Sequence, residues 1–558
     1  MTSFIFYFSF LSQSALAAEF FEGQGFYLGD LHAHTGVSGD GGSSDLEDTC
    51  TNDCAALADV KQTALDNGLD FMTLSEHVNG NQVTTNELYA YALEAILDSN
   101  DVENGFITLP GAEVWFGVEG GADGHKTLLM FGSNDELSDL EMEDLQHEGG
   151  ETADISSCEA IWEYAKELSS AWGPALLIPH HPGLSSGMGT KWECHNSPEA
   201  QKYSPAVETY SEHGNSMDTH TNYDVVWNGT NHEGTVSHAL DPEDGEGLRI
   251  GYVGGTDSHD TRPGGVCATD GEYTHHPYGG GLTVAVLDED EEFTRSAIYS
   301  AISERRTYVT SGPLMPAVVE YNSGGVYLGG MGEEVGMPEG QDLDVEVRVP
   351  AEWSEYVTSV QLRGNGFEFQ MQAMGEGVFV ITVNEHDLPD YVYPMIVLDG
   401  EAWYEGVDCD DGGDDLEQRI WLSPTWLDGV AADLDSDGYT FEDGDCADDD
   451  PSVSPGAAEV CYGNIDADCD GLIGPRDPDC ANLEQPWNDR ETIGNDGEGS
   501  SSSSDFIEDQ EIGEPNWIEE SGPQSSPRGC STINAATSFL PALLGLGLIG
   551  LRRREDTV

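Results

Sequence analysis

Basic residues are scarce in this chain. Its 558 residues hold 19 Lys+Arg against 106 Asp+Glu, a formal net charge of -87 at pH 7, and there are only five lysines, none after Lys202. Affinity for a phosphate backbone comes mainly from Lys and Arg displacing counterions, so this balance excludes nucleic acid as a partner of the outer surface. The acid excess runs along the whole chain and reads as a solvated, soluble shell. Histidine is almost missing from the second half: 15 of the 16 fall between His32 and His276, and only His386 lies beyond. That asymmetry marks the first half as a metal or acid/base domain. Apolar residues are not short, at 38% with 9% aromatic, which is enough to bury a sizeable core and excludes a chain disordered throughout.

The 11 cysteines suggest an oxidising compartment. Cys50/Cys54 and the run Cys446, Cys461, Cys469, Cys480 lie in short acidic loops where disulfides are the expected state. The ends agree. FIFYFSFLSQSALAAEF carries a short apolar run and then Ala15-Leu16-Ala17, the cleavage pattern of a secretory signal peptide over residues 1-17. At the other end Gly529-Cys530-Ser531 precedes the apolar run Phe539 to Leu551, followed at once by Arg552, Arg553 and Arg554. A basic cluster there stays cytoplasmic and leaves the chain outside. The arrangement resembles the C-terminal sorting tags of myxobacterial exported proteins. It implies sorting machinery and membrane as partners of residues 530-558, Cys530 as the odd cysteine, and a place at the cell surface or outer membrane, or secretion after tag removal.

Between the ends, composition divides the chain. Residues 18-312 hold the histidine motifs. From 313 to 428, alternating runs such as LDVEVRV, SVQLRG and GVFVITV between Gly, Pro and Asn/Asp turns predict a small antiparallel β domain. Residues 429-482 are Asp-rich with regular cysteines, and 483-529, with Ser500 to Ser504, read as a disordered linker.

In the first domain the polar motifs sit at the ends of short apolar runs. FYLGDLHAHT carries Asp30, His32 and His34; DFMTLSEH carries Glu76 and His77; FITLPGAEV carries Glu113; GHKTLLMFG begins with His125. ALLIPHHPG carries His180 and His181, AVETYSEHG carries Glu208 and His213, and IGYVGGTDSHD carries Asp257 and His259. Helical text such as CAALADVKQTALDNG and ISSCEAIWEYAKELSSAWG lies between several of them. Strand, polar motif and helix in repetition predict an α/β barrel whose strands present these groups at one mouth. Imidazoles and carboxylates in that number suit zinc, iron or manganese, and the two rings of H-x-H share a strand face because side chains alternate with period two. Gly183-Leu184-Ser185-Ser186-Gly187 matches the nucleophile elbow of serine hydrolases, but Pro182 interrupts the strand and the following text has no helical period.

GDLHAHTGVSGD, LSEH, GAE, GHKTLLMFG, PHHPG and GGTDSHDTRPGG, in this order, resemble the polymerase and histidinol phosphatase (PHP) superfamily of metal-dependent phosphoesterases. VETYSEHGNS and the RTYVTSG ending point to its CehA/McbA-like branch, over roughly residues 25-427. The resemblance implies a distorted (β/α)7 TIM-like barrel with an accessory β domain and two or three divalent transition metals. Carried over residue by residue, His32, His34, Glu113 and Asp257 hold one metal, and Asp40, His77 and His259 a second. Glu113 bridges to a third with His125 and either His180 or His181. The family's usual Asp-His at the second motif is Glu76-His77 here. Asp30 is expected to orient a ligand histidine, Arg262 to clamp an anionic small-molecule substrate, and His213 and Glu208 to act as acid or supporting groups. Close divalent cations lower the pKa of a bridging water and neutralise the developing oxyanion, which fits phosphoryl or acyl transfer.

Asp433, Asp435 and Asp437 with Gly438 follow the start of an EF-hand loop, and Asp466, Asp468 and Asp470 with Gly471 repeat it, with Asp477 at position 12. These oxygen-rich loops suit Ca²⁺. The stretch resembles a disulfide-containing metal-binding repeat of exported bacterial proteins. The leading expectation is an exported metal-dependent hydrolase of phosphate esters. A carboxyl ester, amide or carbamate hydrolase with the same centre, and a non-catalytic calcium-dependent surface protein, are the alternatives.

Overall fold

The computed structural model describes residues 19–429, except 37, 39–56, 79–83, 119–120, 147–156, 185–188, 212, 218–229, 243–244, 260, 266–279, 313, 339, 366 and 400–417. It adds Val453, Ser454, Ala457, Ala467 and Cys469. The expected signal peptide, linker and sorting tag lie outside the described residues, as do Cys50, Cys54, Asp40, Ser185, Ser186 and all seven acids of the two EF-like loops. All described residues belong to the unit Met1–Asn482. Among them, no helix is long and apolar enough to cross a membrane.

The fold is mixed α/β. It begins with β1 (Glu19–Phe21), β2 (Gln24–Asp30), α1 (Val60–Asp66), β3 (Phe71–Leu74), α2 (Asn86–Ser99) and β4 (Ile107–Val118). β2, β3 and β4 pair in parallel, as strands joined by helical crossovers do. α2 starts where the Thr85 side chain accepts from the Leu88 N–H, and it buries Tyr89, Ala92, Leu93 and Ile96. That three-and-four spacing makes one apolar stripe, which faces β4.

The expected alternation then breaks. β5 (Gly121–Met130) returns directly beside β4 as an antiparallel hairpin, with no helix between them. α3 (Asn134–Leu137), α4 (Met142–Leu145) and α5 (Cys158–Trp172) lead to β6 (Ala175–Pro179), antiparallel to β5 and so in the sense of β2 to β4. Next come α6 (Pro198–Tyr203), β7 (Ala206–Ser211), β8 (Gly214–Asn215), α7 (Val236–Leu240) and β9 (Gly251–Gly254), with β7 and β9 parallel. β10 (Leu282–Asp288), α8 (Arg295–Ser303) and β11 (Thr307–Thr310) complete the half, and β10 is antiparallel to β2.

One apolar cluster draws on eight of the first eleven strands: Tyr27, Phe71, Ile107 and Leu109, Leu129, Leu176 and Ile178, Ala206, Val253, and Ala285 and Leu287, capped by Ala297, Ile298, Ala301 and Ile302 of α8. Strands that are far apart in hydrogen-bonding order meet at this plug, so the sheet curls around it. Among the described residues the strands do not form one closed ladder. Among the described residues β7 and β9 form their own three-stranded sheet with β8, joined to the first by the single bridge Ala33–Ser258.

The following strands are β12 (Val318–Ser323), β13 (Val326–Gly329), β14 (Glu334–Met337), β15 (Leu343–Arg348), β16 (Val357–Gly364), β17 (Phe367–Gln370), β18 (Gln372–Gly375), β19 (Val378–Val383), β20 (Tyr391–Leu398), β21 (Gln418–Leu422) and β22 (Thr425–Gly429). Five of them form the antiparallel sheet β13-β12-β15-β19-β18. The others extend the first sheet, because β21 pairs with β11 through Tyr308↔Leu422 and Val309↔Trp421. Hydrogen bonds therefore cross the expected boundary at 312/313, and the β domain is fused to the α/β half.

Two features bear on compartment. Cys158, at the start of α5, is bonded to Cys194, 36 residues on. Cys469 in the Asp-rich segment is also disulfide-bonded. The first pair was not legible in the sequence, because Cys158 sits in helical text and Cys194 in none.

Candidate metal centre

The plug and the site are successive layers of the same inward-facing rows. Along β4 the row runs Ile107, Leu109, Gly111, Glu113, Trp115; along β5, read backwards, it runs Phe131, Leu129, Thr127, His125. β6 contributes Leu176, Ile178 and then His180, and β7 contributes Ala206 and then Glu208. Period-two alternation keeps each row on one face, and the change from apolar to polar residues marks where the plug ends. Because β5 is antiparallel, His125 reaches this mouth from the beginning of its strand. Its register neighbours explain the company it keeps: Trp115 lies opposite His125, and Glu113 opposite Thr127.

Four ligand atoms converge at the centre. His32 Nε2 lies 3.1 Å from His34 Nε2, 3.4 Å from Glu113 Oε2 and 3.5 Å from Asp257 Oδ1. His34 Nε2 lies 3.2 Å from Glu113 Oε2 and 3.3 Å from Asp257 Oδ1. Ligands bound to one divalent transition metal at about 2.0–2.1 Å lie about 3.4 Å apart in a tetrahedral arrangement, and these five separations are of that size, while all four atoms lie within 4.8 Å of one another. All four residues are buried. The donor set fits a divalent transition metal.

Two further groups flank it. His34, His77 and His259 form one, with His77 Nε2 3.2 Å from Glu113 Oε2. Glu113, His125 and His181 form the other, with His125 Nδ1 2.8 Å from Glu113 Oε1. Glu113 thus lies beside a histidine of each of the three expected positions, although at the second one His34 stands with His77 and His259, and the expected Asp40 lies outside the described residues. His181, not His180, joins Glu113 and His125. His180 turns to Glu208, with Nδ1 2.7 Å from Oε1, and also belongs to groups with His32 and Glu208 and with His181 and His213.

The supports differ from those expected. Asp30 does not reach a ligand ring. Its carboxylate accepts from the backbone N–H groups of His32, Thr256 and Gly264 and from the Thr256 hydroxyl. It is therefore a loop clamp, tying the turn after β2 to the turn after β9. The ring of His32 is met instead by Glu208 Oε2 at 3.2 Å and Thr127 Oγ1 at 2.7 Å, both at Nδ1, which leaves Nε2 for the centre. A side chain at Gly255 would place its Cβ 2.3 Å from His32 Cβ, so this close approach needs the glycine of the GGTD motif. His181 and Asp257 hold positive φ, 32° and 59°, a conformation uncommon for residues with a side chain.

Charge in the metal-free centre is divided unevenly. Burial opposes protonation of His32 and His34, but Asp257 and Glu113 outweigh it and hold His34 up to about 10 and His32 well above the usual imidazole range. Burial likewise opposes ionisation of Glu113, Asp257 and Glu208, yet the surrounding histidines keep the first two well below the usual carboxylate range and Glu208 at about 2. On the far side burial pushes His125 and His181 down, and neighbouring imidazoles add to it. That shift favours the neutral ring, the state in which imidazole binds metal.

His213 follows β7 and places Nε2 2.7 Å from Asp257 Oδ2. Arg262 is half-buried just beyond His259, and its carbonyl accepts from Gly265 N–H. Glu76 is buried and accepts from the Thr35 N–H, bracing the loop that carries His34. Thr127 and Trp115 were missed from sequence, although they share the alternating face of His125 and Glu113. Behind this hairpin, on the opposite face, Lys126 and Asp123 form a fully buried ion pair at 3.1 Å.

Comparison with known families matches residues 445–473 to the model Cu-binding_MopE, described as a "Putative metal-binding motif". That segment includes Asp466, Asp468 and Asp470 and stops short of Asp433, Asp435, Asp437 and Asp477. No curated protein matches the chain. The chain therefore carries a C-terminal metal-binding motif and, in its first half, histidine and carboxylate groups able to hold metal.

Proposed function

We propose that this protein is an exported metal-dependent hydrolase of the PHP superfamily, built on the (β/α)7 barrel of that family and acting on phosphate esters. The observation that carries the reading is the convergence of ligand atoms of His32, His34, Glu113 and Asp257 at separations of 3.1–3.5 Å, with two more groups sharing Glu113 or His34. The ordered motifs and the curled sheet around a single plug support it.

Divalent cations bound there would supply an activated water and neutralise charge on the substrate. The chain's own residues do the rest. Glu113 holds neighbouring positions in register. Glu208 fixes the tautomers of His32 and His180, and Asp30 locks the two turns that present His32 and Asp257. Arg262, beside the last ligand motif, is assigned the non-bridging oxygens of an anionic substrate. Bound cations reverse the local sign, so an acidic surface is no bar to a phosphate ester. For the C-terminal module we assign Ca²⁺ to the Asp loops. Unchanged protease resistance of this segment with and without calcium would remove that assignment.

The deciding experiment is metal analysis of the purified protein, then a screen of phosphate mono- and diesters against carboxyl esters and carbamates, with and without chelator. His32→Ala and Asp257→Ala should abolish turnover while the circular dichroism spectrum is kept. Turnover that survives either substitution ends the proposal. Turnover of carboxyl esters or carbamates alone would keep the centre and replace the substrate class.

A further inference from the structure

Trp115 is placed where a packing residue has no need to be. It lies on the inward row of β4 two residues beyond Glu113 and opposite His125 in the hairpin register. Its indole stacks on the His125 ring at 4.2 Å with an interplanar angle of 5°, and meets the His77 ring edge-on at 5.4 Å. Its Nε1–H donates to Glu113 Oε1 at 2.7 Å. The side chain is half-buried. One residue therefore touches the shared carboxylate and a ring from each flanking group.

We propose that Trp115 is a positioning residue that sets metal affinity at the Glu113–His125–His181 position. The inference rests on the metal-centre reading above and goes beyond it by assigning a residue outside the expected ligand set. The reasoning is geometric. Glu113 must turn Oε2 toward His32, His34 and His77 while Oε1 faces His125. A carboxylate can rotate about its last bond, and a donor fixed on a strand removes that freedom. The indole N–H supplies the donor, and the stacked ring holds the His125 plane. Outer partners of metal ligands typically change affinity by about 10- to 100-fold when removed.

The test compares wild type with Trp115→Phe, which keeps a ring and loses the donor, and Trp115→Gln, which keeps a donor and loses the ring. Zinc is titrated into chelator-stripped full-length protein against a chromogenic competitor, and bound metal is counted after dialysis. The expected result is that Trp115→Phe weakens one zinc equivalent by about 10- to 100-fold and the others by less, while Trp115→Gln recovers part of the loss. In wild type, intrinsic fluorescence should change as that equivalent binds, and Trp115→Phe should lose this change. Equal zinc affinity in wild type and Trp115→Phe overturns the proposal. If Trp115→Phe does not fold, Trp115→Gln against Trp115→Leu decides it, and equal affinity there overturns it as well. A wild type that binds no zinc in the first half, with His32→Ala binding the same amount as wild type, sinks the metal-centre reading itself.

Discussion

Replacing Glu113 by Gln tests the centre at its most connected point. Its Oε2 lies 3.4, 3.2 and 3.2 Å from ring nitrogens of His32, His34 and His77, and its Oε1 lies 2.8 Å from His125 and 2.7 Å from Trp115. The amide is nearly isosteric, so the change is one of charge. Removing one partner of a buried ionic set typically costs about 3–5 kcal/mol, because the remaining charges stay buried. Here the lower end applies. His34, held up to about 10 partly by Glu113, can release its proton once that carboxylate is gone. The metal-free variant should therefore lose about 3 kcal/mol at pH 7, read as a shift in urea midpoint at unchanged slope. Metal content should fall as well. Glu113 belongs to the four-residue group with His32, His34 and Asp257 and to the group with His125 and His181. The first keeps three described ligands and the second only two, so the second position should empty on dialysis. A variant with the wild-type urea midpoint and full metal content would refute the shared-carboxylate reasoning.

The metal-free protein should also show a defined pH profile. His34, raised from 6.5 to about 10, contributes stability that is full below about pH 6.5 and lost as pH rises toward 10. Glu208, lowered from 4.5 to about 2, contributes stability present above about pH 4.5 and lost as pH falls through 2. Metal must displace the His34 proton, so apparent metal affinity should rise between pH 6.5 and 9 while metal-free stability falls. Melting curves of the stripped protein that rise with pH between 6.5 and 9 would contradict the His34 reasoning. Reducing the Cys158–Cys194 bond, whose half-cystines lie 36 residues apart, should cost about 4 kcal/mol by loop-closure entropy. The check is a urea midpoint with and without reductant, compared with Cys158→Ser. No shift would show that the pair does not close this loop in solution.

Much of this was legible in one dimension. Apolar runs bounded by His or acid, at the end of the run for β2, β3, β4, β6, β7 and β9 and at its beginning for β5, located these strands, and the three-and-four spacing located α5, because burial on one face imposes a period on the text. The expected ligands His32, His34, His77, Glu113, His125, Asp257 and His259 are gathered at one mouth for the same reason. The choice between His180 and His181 was not legible, since a positive φ at His181 breaks the alternation. Nor was the reversal of β5, because period two looks the same in either direction. Asp30 reads in sequence as a histidine partner. The fold gives it backbone donors from a turn 226 residues away.

The sequence by itself determined the chemistry on offer: which side chains can bind metal, in what order, on which face of which strand, and in an acidic chain poor in cations. Only the tertiary structure decided the partnerships. It selected His181 over His180 beside Glu113, set Glu208 between two imidazoles, placed Trp115 on His125, joined Cys158 to Cys194, and fused the later β strands to the first sheet through β11 and β21. The physical reason is that periodicity reports which way a residue faces. What it faces depends on strand direction, register and loop closure across long separations.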